Sequence, residues 1–174
     1  MATAYTTGID PGRAIPARPW ISPGLAGTAL SGQPTLDGIR PALHARLTGA
    51  WLVGHNISVD WRLLHRHLPD LSIAGLLDTM RLAKAANLPS RLGLTNLLAH
   101  LNLTAAVTAA APGSRPRRAL WDTTATAMLL PALIRHRFIS DSTLQQVTAV
   151  AGTPIARPTP AAEAATDPPP TLFE

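Results

Sequence analysis

Ala50-Trp51-Leu52-Val53-Gly54-His55-Asn56-Ile57-Ser58-Val59-Asp60-Trp61-Arg62-Leu63-Leu64 is the stretch on which the reading of this chain turns. The short apolar run Trp51 to Val53 predicts a buried strand, and the polar corner Gly54-His55-Asn56 ends it. An amphipathic helix should follow, with Val59, Leu63 and Leu64 on one face and Asp60 in its first turn. A carboxylate is thereby placed at the junction of a strand and a helix, where hydrolases keep metal ligands. The bland alternative is a helix-start carboxylate favoured by the helix dipole.

Working outward, Thr35 is a good N-cap for a helix through about Leu47, with Ile39, Leu43 and Leu47 at four-residue spacing. Pro41 suggests that its regular part starts only near Arg40. Residues 1 to 10 offer at most one edge strand, and prolines and glycines punctuate the chain from Pro11 to Pro34. Downstream, the helix begun at Ser58 should end before Pro69. Ile73 to Leu77 reads as a brief strand, and Asp78 as the cap of a helix over Thr79 to Ala86. After the turn Asn87-Leu88-Pro89-Ser90, a helix is expected from about Leu92 to Leu101. Residues 105 to 116 read as an exposed basic loop. A long helix from about Arg118 to His136 should bury Leu120, Thr124, Ala127, Met128 and Ile134, with a kink at Pro131. A last helix spans Ser142 to Ala151. The expected division is a domain over residues 1–151 and a disordered Pro/Ala-rich tail over 152–174. The fold class is α/β, helix-rich, with two or three short strands.

The 174 residues suffice for one domain with a real core. Aromatic content is only 4%, so Leu, Ala, Val and Ile must fill that core. No apolar run approaches the ~20 residues of a membrane span, and no basic-then-apolar leader opens the chain. Cysteine is absent, which excludes disulfides and thiolate zinc sites and makes a reducing cytoplasm the default location. Formal net charge is +5 and both glutamates, Glu163 and Glu174, lie in the tail, so the body is more basic still. A basic body suits a phosphate-rich partner such as nucleic acid; Arg, Ala, Pro and Gly enrichment in a GC-rich genome explains the composition equally well.

Two segments carry sharp patterns: His55-Asn56-Ile57-Ser58-Val59-Asp60, and Arg117-Arg118-Ala119-Leu120-Trp121-Asp122-Thr123-Thr124-Ala125-Thr126-Ala127. They resemble the second and third motifs of the DnaQ-like (DEDDh) 3′–5′ exonucleases, within the ribonuclease H-like fold. Val59 stands where that family has Phe, and Arg117 where it has the general-base His. Leu77-Asp78-Thr79-Met80-Arg81-Leu82-Ala83-Lys84 is similar to the family's Asp-Thr-x-x-Leu-Ala-Arg segment. The resemblance covers roughly residues 9 to 150. It implies a ribonuclease H-like core lacking its first strands, because Pro11-Gly12-Arg13 aligns at the family's usual distance before His55.

The family hydrolyses phosphodiesters with two divalent cations, Mg²⁺ or Mn²⁺, held by an Asp-x-Glu pair and the aspartates of the later motifs. Here the resemblance implies Asp60 and Asp122 as metal ligands and catalytic carboxylates. Asp10 is followed by Pro11-Gly12 and makes no Asp-x-Glu, and Arg117 cannot serve as a base. His136, about fourteen residues beyond Asp122 on one helix, lies ~20 Å away, too far to replace it. The expectation is an exonuclease-type domain, of replication or repair, that is inactive or impaired alone. Its partner would be a single-stranded DNA or RNA 3′ end, with His55, Asn56, Arg115 and Arg118 as nucleic-acid contacts.

Each of these has a plainer reading. His55 and Asn56 can simply turn the chain, and a short Arg run is often only solvated. Trp51, Trp61 and Trp121 fit core packing better than base stacking. The alternative function is a non-catalytic interaction module, with an exposed sheet edge as the surface for a protein partner. Pro170-Thr171-Leu172-Phe173-Glu174 is a weak match to a sliding-clamp-binding peptide.

Overall fold

The computed structural model describes residues 4–19, 21, 24–88, 91–138, 142–153 and 155. The tail from 156 onward, with its clamp-like end, and Pro89-Ser90 of the predicted turn lie outside the described residues. Among those described, seven helices surround a three-stranded mixed sheet, so the chain is α/β and helix-rich. Among the described residues, no helix is long and apolar enough to cross a membrane.

The chain enters as irregular structure up to Pro34, tied by an isolated bridge between Ile15 and Gly27. Residues 4–10 form no strand; instead the Asp10 carboxylate accepts from the Gly12 and Gly32 amides at 2.8 and 3.0 Å. Helix α1 (Leu36–Leu47) starts directly after Thr35, whose hydroxyl accepts from Gly38 N. It therefore runs through Pro41 rather than beginning at Arg40. Asp70, in the turn after the next helix, lies 3.5 Å from Arg40 and 3.3 Å from His44 and ties α1 to that turn.

Strand β1 (Trp51–Gly54), helix α2 (Ile57–His67) and strand β2 (Gly75–Asp78) form a parallel β-α-β unit, with Gly54 opposite Asp78. Val53 and Leu77 point to one face, into a cluster with Leu82, Leu97, Leu98, Val107, Trp121, Leu129 and Leu133. Gly75 leaves room for the Trp51 indole, which covers the position a Cβ would occupy. Helices α3 (Thr79–Ala85), α4 (Leu94–His100), α5 (Thr104–Ala110), α6 (Ala119–Arg137) and α7 (Leu144–Ala151) complete that side. α6 packs on α3, α4 and α5, and α7 on α3. Strand β3 (Gly152–Thr153) pairs antiparallel with β2. Its two residues are the first of the segment 152–174 expected as a tail. With strand order β1-β2-β3, β1 is an edge strand that has no second strand partner among the described residues.

Three expectations change. Val59 and Leu63 do not face the core: they are 41% and 55% exposed, while Ile57 is buried and Leu64 half-buried. The sheet lies on the side of Ile57 and Leu68, and the apolar pair four residues apart has no described element over it. On α6 the buried residues are Trp121, Ala125, Thr126, Leu129 and Leu133; of the expected stripe Leu120, Met128 and Ile134 are partly buried against the core, Thr124 is half-buried and Ala127 is exposed. That helix is apolar on several sides, so its own pattern does not select a face. The supposed loop over 105 to 116 contains α5, whose Val107 is fully buried.

These faces predict opposite outcomes for two truncations. Leu129→Ala should lower unfolding stability by about 2–5 kcal/mol, whereas Leu63→Ser should change it by no more than about 0.5 kcal/mol, both read by urea denaturation.

Candidate functional site

The C-terminal end of β1 opens onto a cleft of about 660 Å³. Its lining includes His55, Asp60, Arg117, Asp122 and Thr126, with Leu94 and Thr95 of α4. Ligand sites in parallel sheets favour this end of the strands.

Asp60 is placed there by the corner that leaves β1. Asn56 adopts a left-handed backbone (φ 63°), which its short polar side chain tolerates better than most. Its amide donates to Asp78 Oδ1 at 3.0 Å, and that same oxygen accepts from Met80 N at 2.9 Å as the cap of α3. Asp78 is only 5% exposed, so both bonds are made away from water. The His55 ring bridges Thr79 Oγ1 at 2.9 Å and the Leu92 carbonyl at 2.8 Å. Both of its nitrogens are engaged inside the protein, while Asn56 is exposed at the corner.

Asp122 comes from the first turn of α6. Packing of Trp121, 1% exposed, turns the next residue toward the cleft. Arg117 stands just before the helix with a left-handed backbone (φ 67°), unusual for a side chain of its size, and its amide donates to Asp122 Oδ1 at 3.1 Å. One oxygen of that carboxylate is thus already engaged by its own loop. Partial burial raises the Asp60 pKa above the ordinary 3.8; its own amide opposes this, and the Asp122 charge adds to it. Both carboxylates line the cleft.

Arg115 and Arg118 line a second hollow of about 910 Å³ with Thr6, Ile9, Leu25 and Leu30, and Arg117 borders both spaces. The three predicted arginines thus fall on adjoining surfaces beside the carboxylates. Of the tryptophans, Trp121 is core, Trp61 stacks on His65 with ring centroids 5.1 Å apart, and Trp51 is 37% exposed.

The family resemblance implies a pair of divalent cations. No group of three or more metal-ligating His, Asp or Glu side chains occurs among the described residues. Two carboxylates supply too few oxygens for two hard cations, and one of them already accepts an amide. The donor set does not fit a two-cation centre.

No family model, no curated protein and no solved structure matches this chain. The residue that motif reading undervalued is Asp78. Expected as a helix cap, it also fastens the corner carrying Asp60, and the only sequence signal for this was its place at the end of an apolar strand.

The Asp60 shift has a sign that can be checked. A carboxyl whose folded pKa is raised carries a penalty that is absent below the unfolded value and grows as pH rises through the folded one. Asp60→Asn should therefore be at least as stable as the parent chain at neutral pH, its advantage shrinking as pH falls toward 3.8. Urea midpoints of both proteins over about pH 4 to 8 would show this; a pH-independent difference would mean that the Asp60 charge is not strained.

Proposed function

We propose that this chain is a DnaQ-like 3′–5′ exonuclease-type domain that binds single-stranded nucleic-acid 3′ ends and whose phosphodiester hydrolysis is lost or severely impaired. The observation that carries the reading is the convergence of Asp60, Asp122 and Arg117 on one cleft, from two distant segments of the chain. These are the positions that the motif resemblance singles out. Supporting it further, Arg115 and Arg118 border the neighbouring hollow, where cationic side chains suit a phosphate backbone. The impairment follows from the donor count and from Arg117 at the place of the family's base. Arg117 remains charged at any working pH and can steady a phosphate but cannot take a proton from water. Mg²⁺ or Mn²⁺ would be held weakly by the two carboxylates.

A second reading, a non-catalytic interaction module, draws on a separate observation. β1 offers an unpaired strand edge among the described residues, and Val59 and Leu63 leave an apolar stripe exposed on α2. In that role the chain would add a strand of a partner protein to its sheet.

The full chain should shift the fluorescence anisotropy of a labelled single-stranded oligonucleotide at low salt. Arg115→Ala should weaken binding and lower the salt slope by about one. With Mg²⁺ or Mn²⁺ added, the oligonucleotide should stay intact on a denaturing gel. Robust degradation abolished by Asp122→Ala would overturn the impairment. Monomer behaviour at every concentration, together with no oligonucleotide binding at low salt, would count against both readings.

A further inference from the structure

The hydrogen bonds around His55 cannot all be made by a neutral imidazole. The Leu92 carbonyl, 2.8 Å from Nε2, can only accept, so Nε2 carries a proton. Thr79 Oγ1 lies 2.9 Å from Nδ1 and 3.2 Å from the Gly54 carbonyl. The hydroxyl has one hydrogen. If it goes to Gly54, Nδ1 must donate as well and the ring is an imidazolium. If the ring is neutral, the hydroxyl must turn to Nδ1 and release the strand-end carbonyl.

The three groups belong to different elements: Gly54 ends β1, Thr79 begins α3, and Leu92 leads into α4. Leu94 and Thr95, just beyond Leu92, line the cleft that Asp60 also faces. The ring's charge therefore bears on how the two sides of the cleft are joined. Several charged groups surround it. Asp78, at the end of β2, favours the imidazolium; Asp60, Asp122 and Arg117 share the cleft lining, and Arg91 precedes Leu92. Burial outweighs the Leu92 carbonyl and Asp78 and holds the pKa below the ordinary 6.5.

We propose that His55 is a proton-operated positioning residue: charged, it clasps the end of β1, the start of α3 and the lead-in to α4 together; neutral, it frees the strand end through Thr79. This stands on the hydrogen-bond inventory and goes beyond the nuclease reading, so it can hold or fail independently of it.

The test is NMR of the full chain over about pH 4.5 to 8, following the His55 ring nitrogens and the amides of Asn56, Ile57 and Thr79. The expected result is one shared midpoint below that of a free histidine, with the neutral ring protonated on Nε2. Thr79→Val keeps the side-chain shape but leaves Nδ1–H without an acceptor, so the His55 midpoint should fall further, by about half to one pH unit. His55→Gln should abolish the titration of the corner amides. A neutral ring protonated on Nδ1, corner amides indifferent to the ring, or an unchanged midpoint in Thr79→Val would each overturn the proposal. Should His55→Gln fail to fold, the parent chain and Thr79→Val still decide it.

Discussion

The buried carboxylate of Asp78 is the fastening on which the working end of this protein depends. Because β1 and β2 run parallel with Gly54 opposite Asp78, both strands finish at the same level, and the backbone leaving each strand must be held there. One oxygen does this twice, capping α3 through Met80 and fixing the left-handed Asn56 after β1. Charge-assisted bonds to backbone amides are among the stronger contacts a carboxylate makes, and here they are shielded from water. The corner that aims Asp60 into the cleft is thus set by the neighbouring strand and not by its own residues alone.

The other wall is set by packing. Trp121, Ala125, Leu129 and Leu133 repeat every four residues and bury one face of α6 against its neighbouring helices. That choice of face fixes the rotation of the helix, and with it the direction of Asp122. The turn before the helix carries a second constraint: Arg117 is held in a left-handed conformation whose amide meets the carboxylate. Apolar burial and one backbone hydrogen bond therefore position Asp122, with no metal needed to account for its placement.

Two carboxylates line one cleft, and the Asp122 charge adds to the upward shift that burial gives Asp60. An arginine lines the cleft with them, and the nearby His55 ring is engaged by the Thr79 hydroxyl and the Leu92 carbonyl. Beside the cleft, arginines border a second hollow, and β1 has no second strand partner among the described residues.

Much of this was legible in the sequence. Strand–corner–helix around Asp60, the Thr35 and Asp78 caps and the long helix carrying Asp122 arise from local chemistry: apolar runs, turn residues and side chains that satisfy free amides. Motif order was enough to pair Asp60 with Asp122. What local pattern could not decide was which apolar residues are inside. Val59 and Leu63 make a proper helical stripe yet face outward, and α6 offers several apolar faces of which packing uses one. A periodic pattern states that a face is apolar, but burial depends on whether another element lies over it. The same holds for His55, whose role emerged only when β1, α3 and the approach to α4 were brought around one ring. Sequence determined the pieces and the two carboxylates; tertiary contact alone decided how Asp60 is held, what Asp122 already bonds, and which surfaces stay open.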